Sequence, residues 1–516
     1  MLKKQNHVIA MKPLGIPRGL FHSYRGKEAG DARRTDVSSN NRKRRRSMNG
    51  FNGLILLFVY FAVMMAATLL FARKGNGADD FYVGNRKMGA VASAMSIAAT
   101  WIWAPALFTS AEKAYINGVP GLFWFLVPNV LCLLFFIPFA ERIRKRMPDG
   151  ITLSGFMGHE YRSEGVRKVY GVQLAGLTIL STAVQLLAGG KILSVTTGLD
   201  FTLVTVLLAV IAYSYSQFSG IRASVMTDVV QMVLILAACA VFVPWALGNP
   251  HGIENMTRGF TGASGEYASL FSGKGIEVLI GFGLPTAIGL VSGPFGDQCF
   301  WQRAFSIDEK KIGRAFALGA FLFGLVPLSM GILGFIAAGS GFTAQDTGTV
   351  NLELIQHLFP AWVVVPFIFM LMSGLLSTVD SNLCAAASLT TDWQVTGKLD
   401  DAGKMRFSKG VMVGLLVVGI LIANIPGLTV TKMFLVYGTL RATTLLPTVM
   451  TLLGKKLRAG AVIAGVSVSL LTGLPVFAYA TINNLSVLKS CAALYTVLIS
   501  GIIAAAASKV RQEVSA

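Results

Sequence analysis

Along this chain, long apolar stretches alternate with short polar ones in a pattern that neither a soluble helix nor a strand would give. Thirteen stretches stand out after a polar start, over 51–72, 88–112, 119–140, 168–193, 201–219, 224–247, 275–294, 312–338, 360–388, 406–424, 428–452, 458–480 and 485–507. A bilayer core about 30 Å thick needs about 20 apolar residues per helix, so each stretch is long enough to cross one. Within lipid every backbone amide and carbonyl must be satisfied inside its own segment, which selects helices. The pattern predicts an all-α polytopic membrane protein with 13 transmembrane helices and its two ends on opposite sides. The composition agrees: 53% of the 516 residues are hydrophobic, 14% are charged and mean hydropathy is +0.62. A soluble enzyme is excluded. No polar segment is long enough for a catalytic domain, and no P-loop, nucleophile elbow or zincin pattern occurs.

The net charge of +20 suggests a nucleic-acid partner only until it is located. Residues 1–47 hold thirteen Lys/Arg against three acids, so half of the excess lies in one tail. Of the 32 Lys/Arg beyond it, 25 fall in 73–87, 141–168, 220–222, 295–314, 389–409, 453–458 and 508–516. Short loops rich in Lys and Arg stay on the cytoplasmic side, which predicts a cytoplasmic C-terminus at 508–516 and a first helix that starts outside. The partner is then the lipid bilayer, with Trp245, Trp362 and Trp393 near predicted helix ends as interfacial anchors. The tail conflicts with this topology, because a short basic segment resists export and lacks an apolar run of signal-peptide length. Translation from Met48 would remove the conflict; a solvated or lipid-touching basic tail is the plainer alternative. Cys132, Cys239, Cys299, Cys384 and Cys491 have no paired spacing, so neither disulfides nor a zinc site are indicated.

Three stretches are interrupted by Gly, Pro or polar residues, a costly arrangement in lipid unless the freed backbone groups face a cavity. The second stretch passes from small residues after Met88 to Trp101, Trp103 and Pro105; close helix packing would also use such small residues. The seventh carries Gly281, Gly283, Pro285, Gly289, Gly293, Pro294 and Gly296, too many breakers for a continuous helix. The ninth ends in the polar run from Met372 to Asn382. There Ser377 and Thr378 offer hydroxyl oxygens, and Gly374 lies one turn before them, so its carbonyl points at the same spot. Neutral hard oxygens in this number suit sodium. Either hydroxyl alone could instead bond back to its own helix. Asp380 is an acid at membrane depth and calls for a cavity or a partner, with Arg441 as one candidate.

From about residue 51 the chain resembles the sodium:solute symporter family, including its sodium/proline symporters. The resemblance rests on Phe81–Gly89, on Ala92-Ser-Ala-Met-Ser96, on Gly220–Asp228, on Gly293–Arg303 and on Ser377-Thr378, in that order. It implies a leucine-transporter-type inverted-repeat fold, with 51–72 peripheral, repeat one over 88–247, repeat two over 275–452, and two peripheral helices over 458–507. It implies one sodium held by the carbonyls of Ala92, Met95 and Gly374 and the hydroxyls of Ser377 and Thr378, and no other cofactor. Where relatives often carry an acid inside the Ala-Ser-x-Met-Ser run, this chain has Ala94, so that acid's role does not transfer. Substrate would be lined by Thr100, Trp101, Trp103, Gly293 and Phe295, and the Trp101–Ala104 and Asp297–Arg303 patches resemble the urea and polyamine branch. The reading is a sodium-coupled symporter of a small polar solute: amino acid, urea-like amide, polyamine or carboxylate. Two others compete: a proton-coupled symporter using Asp380, and a symporter-like membrane sensor, against which speaks the nine-residue stretch after the last helix.

Overall fold

The computed structural model describes residues 50–71, 77–218 and 220–514. The basic tail 1–47 and Met48 lie outside the described residues. Helices account for nearly all of the rest. The first, α1, covers Gly50–Phe71; it is followed by a pair of segments, α2 (Ala90–Trp101) and α3 (Ala104–Leu107), then by α4 (Thr109–Arg146). Next come α5 (Glu164–Thr197), α6 (Phe201–Ser216) and α7 (Ile221–Leu247). A second interrupted unit consists of α8 (Gly273–Val291) and α9 (Gln298–Ser306), with the turn Pro294–Gly296 between them. The chain continues through α10 (Ile312–Gly339), α11 (Ala361–Leu389) and α12 (Asp401–Ala423), and then α13 (Val430–Ala442) and α14 (Leu445–Leu452). It closes with α15 (Ala459–Ile482) and α16 (Ser486–Val514).

Helix lies under each of the thirteen predicted stretches, but ten of the described helices are long and apolar enough to cross a membrane. The shortfall has local causes. The 88–112 stretch breaks at Ile102–Trp103, 201–219 yields only the 16 residues of α6, and 428–452 splits at Thr443–Thr444. In α4 the ladder is disturbed at Gly118, whose φ of 57° suits glycine alone and where a Cβ would fall 2.2 Å from the Phe260 carbonyl.

Packing puts the interrupted units at the centre. α11 is the most enclosed of the ten spans and lies against α5, α7 and α2, while α10 packs along α4 and α2. In contrast α1 turns Phe51, Phe58 and Leu70 outward, as a helix bordered by lipid does. The start of α2 is tied to the end of α9: Met88 N–H donates to Ser306 O (3.2 Å) and Asp308 N–H to Met88 O (3.1 Å). The two interrupted units are therefore joined at one end by backbone bonds, and α2, α3 and α9 pack against α11, while α8 lies against α4, α13 and α16.

Candidate functional site

The break after α2 follows from its sequence. Pro105 has no N–H, so it cannot bond the Trp101 carbonyl as a continuous helix would require. Ala104 N–H, the helical donor for Thr100 O, donates instead to Gln185 Oε1 at 2.7 Å. Ala106 N–H, the donor for Ile102 O, goes to Trp103 O at 3.0 Å. Three successive carbonyls thus lose their helical donors where α2 faces α11. Thr378 Oγ1 takes up the first of them, lying 3.1 Å from Thr100 O and 3.2 Å from Gly374 O. Gly374 presses so closely on the break that a Cβ there would stand 3.0 Å from the Ile102 carbonyl oxygen and 2.9 Å from Leu107.

These contacts fix the register of α11 on α2, and they set Ala92 and Met95 apart from the α11 oxygens with which they were expected to act. The helices run past one another in opposite senses, with Gly374 at Ile102, Thr378 at Thr100, and Cys384 in the apolar cluster against which Ala92 packs. Ala92 is ten residues, about 15 Å of helix, before Ile102. Met95 is seven residues before it, and the carbonyls of both lie within the continuous part of α2, where the ladder engages them. Neither reaches Gly374. The same i, i+3 pair of carbonyls two turns on, Ala99 and Ile102, stands at the break instead. Gly374 and Thr378 face the break, and Ser377 faces Asp228 beside it. Thr100 belongs with this group as well, its hydroxyl 2.8 Å from Ser381 Oγ.

Behind the two hydroxyls lies a buried ion pair. Asp228 of α7 and Arg303 of α9 meet at 3.0 Å with essentially no solvent exposure. Ser377 Oγ donates to Asp228 Oδ1 and Ser96 Oγ to Asp228 Oδ2 (2.5 Å), while Arg303 also donates to Ser96 Oγ (3.0 Å), Ser381 Oγ (2.7 Å) and Cys299 O (3.1 Å). With its proton committed to Asp228, the Ser377 hydroxyl keeps its lone pairs for a cation. Sequence reasoning assigned neither Asp228 nor Arg303 a role, although both close quoted motifs and a charge at membrane depth was signal enough.

The proposed partnership of Asp380 with Arg441 is wrong. Asp380 Oδ2 accepts from Thr227 of α7 at 3.3 Å, and Oδ1 has no hydrogen-bond donor among the described residues. Arg441 projects from α13 to the opposite side of the break, where Nη2 meets Asp297 Oδ2 at 2.9 Å. Asp380 on α11 faces α7 and Arg441 on α13 faces the start of α9, so the two helices present their charges to different neighbours.

Around Arg441 the aromatic residues gather. Trp101 and Trp103 stack with centroids 5.2 Å apart, and Tyr437 stands edge-on to Trp103 at 4.9 Å. Trp101 Nε1 donates to Asn129 O at 3.2 Å. Gly293 lets this packing form, since a Cβ there would fall 2.4 Å from the Trp101 ring. Gly293→Ala is accordingly expected to displace Trp101, at an overpacking cost of about 1–3 kcal/mol. Lower solute affinity with an unchanged sodium requirement would show this in uptake assays. Phe295 is placed differently from the other predicted liners: its ring turns to Phe136 (5.3 Å) and Phe139 (5.0 Å), away from the tryptophans. The five cysteines are all free.

Two interrupted helix units meeting at one buried polar site have the leucine-transporter-type fold, and with its family and relatives the protein is a multi-pass membrane transporter rather than an enzyme. The chain belongs to the sodium:solute symporter family, whose model matches residues 81–468. It is 24% identical over 357 residues to the sodium/pantothenate symporter of Haemophilus influenzae, covering 65% of this chain and 71% of that one. It is 24% identical over 466 residues to the urea-proton symporter of Oryza sativa subsp. japonica, covering 81% of this chain and 62% of the rice protein. Its fold matches that of a Na+-coupled sialic acid symporter solved in a substrate-bound outward-open state, with a TM-score of 0.70, 17% identity, and coverage of 88% of this chain and 98% of that one.

Proposed function

We propose that this solute symporter is coupled to sodium and brings a small polar organic solute into the cell by alternating access, with 88–247 and 275–452 acting as the two repeats. The observation that carries the reading is the break after α2, where carbonyls without helical donors face Gly374, Ser377 and Thr378 of α11. The carbonyls of Ala99, Ile102 and Gly374 and the hydroxyls of Ser377 and Thr378 make a five-oxygen set without a carboxylate, a composition that fits a monovalent cation. Sodium bound there cross-links α2 to α11 and stabilises one state of the transporter, and solute at the neighbouring tryptophans then commits it to the other. At a membrane potential of 100 mV each inward charge contributes about 2.3 kcal/mol to accumulation, before any sodium gradient. In this reading the C-terminus is cytoplasmic.

The test is uptake into proteoliposomes carrying the full chain, driven by a sodium gradient in one arm and a proton gradient at zero sodium in the other. Accumulation that follows sodium supports the reading. Accumulation driven by protons alone overturns it in favour of the second reading, which buried Asp380, whose Oδ1 has no hydrogen-bond partner among the described residues, and the rice urea-proton symporter support. Asp380→Asn separates the two further. It is expected to lower the transport rate while leaving the sodium requirement in place; loss of proton-driven uptake in that variant would identify Asp380 as the coupling group.

A further inference from the structure

The aromatic half of the site holds an arrangement that coupling to an ion does not call for. Trp101, Trp103 and Tyr437 present ring faces to one volume, the kind of cage that attracts an organic cation. Here the protein fills that cage itself. The Arg441 guanidinium carbon lies 5.0 Å from the Trp101 ring centroid, 4.9 Å from that of Trp103 and 4.7 Å from that of Tyr437. Asp297 holds the same guanidinium through Nη2 at 2.9 Å, and the Gly296 backbone lies so close to Arg441 that a Cβ would fall 2.7 Å from its Cα. Charge is therefore balanced inside the cage, and the position that would receive a foreign cation is taken.

What the cage leaves unspent is hydrogen-bond donors. Arg441 carries five N–H groups, and among the described residues only Nη2 has a protein acceptor. Arg441 Nε and Nη1, Trp103 Nε1 and the Tyr437 hydroxyl are all buried and without a hydrogen-bond partner among the described residues. Ring faces meet part of the guanidinium charge, but they accept N–H groups weakly. A donor-rich, charge-balanced cluster of this type is complementary to an acceptor oxygen. Resting on the symporter reading above, we infer that the carried solute presents a carbonyl or carboxylate oxygen to Arg441, Trp103 and Tyr437, and that quaternary ammonium compounds and polyamines are refused because Arg441 stands where they would bind. In this arrangement Arg441, Trp103 and Tyr437 set specificity, and Asp297 positions Arg441.

The experiment uses the purified full chain and measures saturable binding by quenching of tryptophan fluorescence, at high sodium. The oxygen-bearing probes are urea, acetamide, lactate, L-proline and pantothenate; the cationic probes are choline and spermidine. At least one oxygen-bearing probe is expected to bind, and neither choline nor spermidine to displace it at a hundredfold excess. Arg441→Lys, which keeps the charge and loses the planar fork, should weaken that binding at least tenfold. Tyr437→Phe should weaken it several-fold. A thermal shift induced by sodium alone, without solute, reads the ion site independently and should persist in both variants. Its absence from the unmodified protein would count against sodium coupling, and the solute arms, repeated at low pH, would still decide the specificity. Binding of choline or spermidine, binding of none of the oxygen-bearing probes, or unaltered affinity in both variants would overturn the inference.

Discussion

Alanine at Thr378, and separately at Ser377, is expected to raise the sodium concentration for half-maximal transport by roughly ten- to a hundredfold, with insertion and folding retained. Each substitution removes one oxygen from a set of five, a loss on the order of 1–3 kcal/mol by analogy with a buried polar group left without its partner. The two variants should differ in one respect. Among the described residues Thr378 Oγ1 bonds the carbonyls of Thr100 and Gly374 and no charged group, so its loss weakens the ion site alone. Ser377 Oγ also serves Asp228, so Ser377→Ala additionally frees one carboxylate oxygen of the buried ion pair and should lower thermal stability. Serine at 378 restores the oxygen and should restore most of the sodium affinity. Titration of solute uptake against sodium, with a parallel melting curve, checks both statements. Normal transport at low sodium in both alanine variants would remove these hydroxyls from the ion path.

Which parts of this arrangement could be read from the sequence follows from how each signal is encoded. Breaks are written locally: Pro105 after the tryptophans, and Gly293-Pro294 before Gly296, interrupt their helices, whereas Gly281, Gly283, Pro285 and Gly289 are accommodated within α8, which stays helical with a π turn over Leu279–Gly283. The oxygens on α11 were legible too, because Gly374, Ser377 and Thr378 share one face by spacing alone. Register between helices is not local. The choice between Ala92/Met95 and Ala99/Ile102 is a two-turn slip along α2, and both pairs keep the same i, i+3 spacing; only the approach of Gly374 to Ile102 decides it. Partners of buried charges are hidden for the same reason. Asp380 and Arg441 could be named as charges needing company, but Asp297, Asp228 and Arg303 are brought to their places by tertiary packing across more than seventy residues of chain. The count of continuous spanning helices falls below the thirteen apolar stretches where one stretch is made of two short helices, since hydropathy counts apolar length and not helical continuity.

The largest loss of stability is expected from breaking the Asp228–Arg303 pair on one side. Arg303 makes four kinds of contact at once, to Asp228, Ser96, Ser381 and Cys299 O, and so ties α9 to α7, α2 and α11. Replacing it with methionine, of similar length, would leave the Asp228 carboxylate buried with two hydroxyls and no counter-charge. Removing one partner of such a pair costs about 3–5 kcal/mol, because the remaining charge keeps its desolvation penalty. Removing both partners takes the penalty away with the attraction, so Asp228→Leu, which leaves no acceptor, combined with Arg303→Met should be more stable than Arg303→Met alone. Transport should not recover in parallel. The double variant lacks the carboxylate that fixes the Ser377 proton, so its hydroxyl can turn its lone pairs away from the ion, and the sodium requirement should stay raised even as the melting temperature returns. Melting curves of the purified proteins, set beside sodium titrations of uptake, distinguish the outcomes. If the single and double variants melt together, the pair carries no net load in the fold; if sodium affinity recovers with stability, the Asp228 carboxylate has no part in orienting Ser377.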